Sequence, residues 1–205
     1  MITRLLWQPI LICIFLVGCS SGVNSEEQMK MAINNMTMPF SSGAISLHII
    51  PSAKMNAWND IANSSVMLML QANEKGILEN VMNNPVIIKQ MFDGAGSFDG
   101  ILKIDRYVAM PGQNTTLHID RSENTRYVCI ISGYYPFPAK QHMLLIDIPI
   151  AITKQGWWHK KWNAVLSPLE MKILLGQEAI QKVHEPTESK SVSYTHLTLP
   201  TIYSV

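Results

Sequence analysis

The spacing of apolar residues changes several times along the chain, and each change marks a predicted element. From Leu5 to Val17 almost every residue is apolar, with only Gln8 and Pro9 interrupting. The run falls short of the roughly 20 residues that a membrane span needs. With Arg4 before it and small residues after it, it reads as a secretory signal peptide over residues 1–18. Residues 19–43 are polar and rich in Ser and Asn, with one helix-like stretch at Glu26 to Ile33, and read as a flexible tether. Ala44-Ile-Ser-Leu-His-Ile-Ile50 alternates, which predicts a first strand. Ser65-Val-Met-Leu-Met-Leu-Gln71 is a short unbroken apolar run, the pattern of a buried strand. A loop, Pro51 to Ser64, separates the two.

Past the second strand the period becomes helical. Gly76 to Met82 and Asn84 to Phe92 predict two short helices, the second capped by Asn84 with Pro85 in its first turn. Strand patterns then return at Ile101 to Val108, Thr115 to Ile119, Arg126 to Tyr134 and Met143 to Ile152. Two further strands are expected at Trp157 to Val165 and Leu169 to Ile180. Met110-Pro-Gly112, Ser122-Glu-Asn124 and Pro136-Phe-Pro138 punctuate them. Many short strands with regular turns predict a mainly β fold, a β-sandwich over residues 44–190, with a short helical insertion between its early strands. Val192 to Thr201 follows, codon by codon, the translation of a transposase-type sequencing adapter. Residues 191–205 are therefore read as a non-native tail and set aside.

Charge removes one class of function. The full chain holds 16 basic and 15 acidic residues, and losing Arg4 with the leader balances them. No basic stripe exists to attract nucleic acid. Of the three cysteines, Cys13 lies in the leader and Cys129 in an apolar strand. Leu16-Val17-Gly18-Cys19 resembles the lipobox of bacterial lipoproteins, where cleavage leaves an acylated cysteine at the new amino terminus. That resemblance implies lipidation at Cys19, and Ser20 rather than Asp after it favours the outer membrane. Several acyl chains anchor stably where one chain alone binds marginally.

The order of features is similar to the TssJ family, the outer-membrane lipoproteins of type VI secretion systems. The shared features are the lipobox, a first strand followed by a long loop, and helices after strand two. Met110-Pro-Gly112 then precedes a strand, and Arg126-Tyr-Val-Cys-Ile-Ile-Ser-Gly-Tyr-Tyr135 ends in aromatics. The resemblance implies a transthyretin-like β-sandwich without catalysis or cofactor. Its implied task is to anchor a trans-envelope complex by gripping the periplasmic domain of TssM, an inner-membrane protein. The contact element it implies is the loop of residues 51–64.

Within that loop Lys54, Asn56, Trp58 and Asp60 are the candidate partner-binding residues. Trp58 is either an interface anchor, since tryptophan is enriched at binding hot spots, or a lid over the sandwich end. A second reading, copper or small-ligand binding, comes from the methionine pairs Met29/Met31, Met36/Met38 and Met67/Met69, since thioethers suit Cu(I). For Met67 and Met69, core filling is the simpler reading. Neither the scattered histidines nor Cys129 forms a metal or nucleophile pattern, so no catalytic or metal residue is assigned. Trp157-Trp158-His159-Lys160-Lys161-Trp162 is either a strand filling the sandwich or a cluster suited to a lipid headgroup surface.

Overall fold

The run Ser65–Ala72 has no polar side because it enters two cores. The computed structural model describes residues 24–94, 97–136, 138–156 and 161–183. The leader, Cys19 and the tail at 191–205 lie outside them. The elements in chain order are α1 (Ser25–Asn34), β1 (Ser41–Pro51), β2 (Ser65–Ala72), α2 (Lys75–Met82), α3 (Pro85–Phe92), β3 (Ile101–Ala109) and β4 (Thr115–Arg121). There follow β5 (Tyr127–Ser132), β6 (Met143–Asp147), β7 (Ile150–Gln155), β8 (Lys161–Leu166), β9 (Leu169–Leu175) and β10 (Ile180–Val183).

Two four-stranded sheets, β10-β9-β1-β4 and β3-β2-β5-β6, face each other, and β7-β8 forms a separate hairpin. Ile45, Leu47 and Ile49 of β1 meet Met67 and Met69 of β2, Val128 and Ile130 of β5, and Met171 and Ile173 of β9. This is the inter-sheet core. Because side chains alternate along a strand, Leu68, Leu70, Cys129 and Ile131 point to the opposite face. There Leu78 and Val81 of α2 and Ile88 and Met91 of α3 cover them. The helical insertion thus lets β2 and β5 bury both faces. Asn84 caps α3 as expected, its Oδ1 accepting from the amides of Val86 and Ile87 at 3.1 and 3.2 Å.

Most of the predicted strands are present, but two of them divide. Met143 to Ile152 becomes β6, paired with β5, and β7, paired with β8. The break falls at Pro149, which lacks an N–H for a continuing ladder; its carbonyl accepts from Ser167 instead. Leu169 to Ile180 becomes β9 and β10 around a turn in which the Gly176 amide donates to Ala179 O at 2.9 Å. Of the strand predicted from Trp157, residues 161–166 form β8, and residues 157–160 lie outside the described set.

The helix-like stretch before the first strand is α1. Its half-buried residues Gln28, Met29, Ala32 and Ile33 recur at helical spacing, and the helix packs against β8. Ordered contacts therefore begin with α1, ahead of Ala44. β1 runs from this end of the sandwich to the other. Near its start, Asn124 N donates to Met38 O, and Ile45 pairs with Leu169 just after the hairpin. The loop of residues 51–64 leaves from the far end.

Candidate functional site

Backbone bonds fix the loop at its root. Ser52 N donates to Leu175 O at 2.8 Å, and Ser52 O accepts from the amides of Met55 and Gly112 at 3.0 and 3.2 Å. Gly112 holds φ +70, a left-handed backbone that glycine adopts without the strain a side chain would bring. Met55 is fully buried in the inter-sheet core. Asn56 follows in the left-handed region at φ 50, which Asn tolerates better than most residues. Its side chain is 7% exposed. Nδ2 donates to Ser64 O at 3.1 Å, and Oδ1 accepts from Tyr135 N at 2.7 Å.

Trp58 and Ile61 exchange backbone bonds of 2.9 and 3.0 Å. Asn59 and Asp60 between them both have positive φ, 49 and 62, as a type I′ hairpin turn requires. The turn lifts two large side chains into solvent, Trp58 at 53% and Ile61 at 68% exposure. The Trp58 ring lies 4.4 Å from that of Tyr135, tilted by 57°, and Tyr135 is 56% exposed. Beside the pair an open cleft of about 470 Å³ runs to the end of α3, lined by Trp58, Tyr135, Phe92, Lys89 and Asp93. Val66 of β2 and Val108 of β3 pair in register at this end, and both are exposed, as is Met110.

Beneath the aromatics the floor is pinned. Tyr134 is buried, donates its hydroxyl to Gly176 O at 2.9 Å and stacks on His142 at 4.5 Å. Burial raises the Tyr134 pKa above its ordinary value of 10.0, so the phenol stays a neutral donor. His142 Nδ1 accepts from Ala139 N at 2.8 Å and Nε2 faces Glu178 O at 2.8 Å, which puts the ring proton on Nε2. The site is an exposed aromatic ridge over a buried, hydrogen-bonded base.

No protein-family model matches the sequence, and no curated protein matches it. Among solved structures the chain superposes on Serratia marcescens Lip, a membrane-bound component of the type VI secretion system. The TM-score is 0.51 at 16% identity, covering 69% of this chain and 97% of Lip. The chain has the Lip fold. A chain of a type VI membrane complex superposes at 0.50 with 10% identity, covering 72% of this chain and 99% of that one. The lipoprotein TssJ1 from Pseudomonas aeruginosa gives 0.48 with 13% identity, over 73% of this chain and 98% of its own.

On this Lip-like sandwich the four candidate loop residues separate. Lys54, Trp58 and Asp60 face solvent, and no ion pair among the described residues engages Lys54 or Asp60. Asn56 does not reach the surface; its side chain is spent on Ser64 and Tyr135, so it shapes the loop rather than offering a contact. Tyr135, Phe92, Ile61, Val66 and Val108 complete the surface, and the sequence reading left them unassigned. The Tyr134-Tyr135 ending was a visible signal. The Val66–Val108 pair was not, because it depends on register between separate strands.

Other chemistry finds little support among these residues. Cys129 is buried between β2 and the helices, and burial pushes its thiol up to about 12, so it is no thiolate nucleophile. Among the described residues no three His, Cys, Asp or Glu side chains gather as metal ligands. Met67 and Met69 fill the core, as expected. Met29 and Met31, two apart on α1, point to different sides of the helix. No described helix is long and apolar enough to cross a membrane.

Proposed function

We propose that this chain is a TssJ-type lipoprotein, acylated at Cys19 and held in the outer membrane with its sandwich facing the periplasm. It anchors a type VI secretion membrane complex by binding the periplasmic domain of a TssM-like inner-membrane protein. The role is that of a scaffold rather than a catalyst.

The observation that carries the reading is the loop end. Trp58, Ile61 and Tyr135 come together in exposed positions, on a base fixed by Asn56 and Tyr134, and Val66 and Val108 form an exposed pair at the same end of β2. Exposed apolar area of this kind marks an interaction site. The shared fold with Lip supports the assignment to type VI secretion.

The test is binding of the mature protein to the periplasmic domain of a cognate TssM, with Trp58→Ala alongside. We expect the parent to bind and the variant to weaken by at least tenfold, about 1.4 kcal/mol, with an unchanged circular dichroism spectrum because Trp58 contributes little to the core. Parent binding that survives Trp58→Ala moves the interface off the loop end. Absence of parent binding overturns the scaffold role.

A further inference from the structure

We infer that the partner meets the loop end through a neutral, proline-rich segment in polyproline II conformation, seated in the cleft that Trp58, Tyr135 and Phe92 line. The inference rests on the proposed partner-binding role of this end and adds the chemistry that the partner presents. The Trp58 and Tyr135 rings, 4.4 Å apart and tilted by 57°, are both more than half exposed. Phe92 rests on Gly133, where a Cβ would come within 3.0 Å of its Cε1. The absent side chain is what lets the third ring lie at the cleft.

Charge and hydrogen bonding narrow the occupant. Lys89 and Asp93 sit one turn apart at the end of α3, both exposed, and neither is in an ion pair among the described residues. One cation and one anion on the rim cancel at a distance, so nothing steers a highly charged segment to the cleft. The aromatic side offers donors instead. Among the described residues neither the Trp58 indole N–H nor the Tyr135 hydroxyl has a hydrogen-bond partner, so a bound segment has to bring acceptors. A helix closes its backbone carbonyls on itself. A strand needs an open sheet edge, and β2 and β5, whose ends border the cleft, are each bonded on both sides. A polyproline II segment leaves its carbonyls free and has few N–H groups to satisfy. Aromatic grooves take such segments with little loss of chain freedom, since the conformation is preformed.

A decaproline peptide is the probe, with a glycine-serine peptide of equal length as control. Binding to the mature protein is followed by calorimetry and by the Trp58 indole N–H resonance, identified as the one lost in Trp58→Phe. We expect decaproline, but not the control, to shift that resonance at millimolar concentration. Trp58→Ala should weaken decaproline binding at least tenfold, and Tyr135→Phe, which removes only a hydroxyl, at least threefold. Decaproline should also displace the periplasmic domain of a cognate TssM from the parent. No shift with decaproline, or an equal shift with the control, overturns the inference, while parent that still binds the TssM domain leaves the scaffold role standing. Binding that ignores both substitutions places the peptide elsewhere and overturns it too, as does decaproline that binds without displacing the domain. Parent that fails to bind the domain overturns the scaffold reading and this inference with it.

Discussion

Single side chains at the loop end act through what they hold rather than what they show. Asn56 joins the β1–β2 loop to Tyr135, 79 residues further along the chain. Asn56→Ala takes the partner from the Tyr135 amide and the Ser64 carbonyl, at a cost of about 1 kcal/mol for each bond, which a lowered urea midpoint will report. Asp120 is a different case. Its Oδ1 accepts from Ser42 Oγ and Gly43 N, both at 2.8 Å. The Gly43 amide first, then the Ser42 hydroxyl, lower its pKa from the ordinary 3.8. Both bonds favour the charged form, so their contribution is present above pH 3.8 and is lost as pH falls through the lower folded value. Urea midpoints measured down through that range should fall more steeply for the parent than for Asp120→Asn. Trp58 was legible from sequence as a large aromatic in a polar loop. The role of Asn56 was not, since its partner is fixed by the tertiary fold.

At the scale of elements, β2 has the most to lose. Leu70 is fully buried under the helices while its neighbours Met67 and Met69 fill the other core. Leu70→Ala opens a cavity that the helices close only in part, so a loss of about 2–5 kcal/mol is expected by chemical denaturation. Elements with one clear period were readable: the alternation of β1, the apolar run of β2, the cap and first-turn proline of α3. The divided strands were less so. Pro149 and Gly176 lie inside stretches that keep a strand-like pattern, and only partner choice shows that β6 and β7 belong to different sheets.

The molecule as a whole has two distinct ends. β1 links them, with the aromatic ridge beyond Pro51 and the α1–hairpin face near Ser41. Cys129 lies in β5, the strand beside β2, sealed by the helices on one face. Its alkylation by a soluble maleimide should be negligible in the native state and should track global unfolding as urea rises; appreciable labelling below the transition would show that α2 and α3 detach separately. The two-layer β architecture and the helical insertion followed from strand count and period. The opposition of the ends did not, because it depends on which strands pair, and β1 pairs with a strand from the far side of the sequence.

That pairing has a consequence for biogenesis. β1 is bounded by β4 on one side and by parallel β9 on the other, with Ile45 against Leu169. Synthesis from the amino terminus delivers β1 well before β9. During that interval β1 has one open edge, able to pair with any extended segment nearby. Closing so long a loop makes this sheet the slow step of folding, and a ribosome stall or protease cut before Leu169 leaves a half-built sheet. A chaperone that shields unpaired strand edges would matter most for this protein until β9 is available to pair.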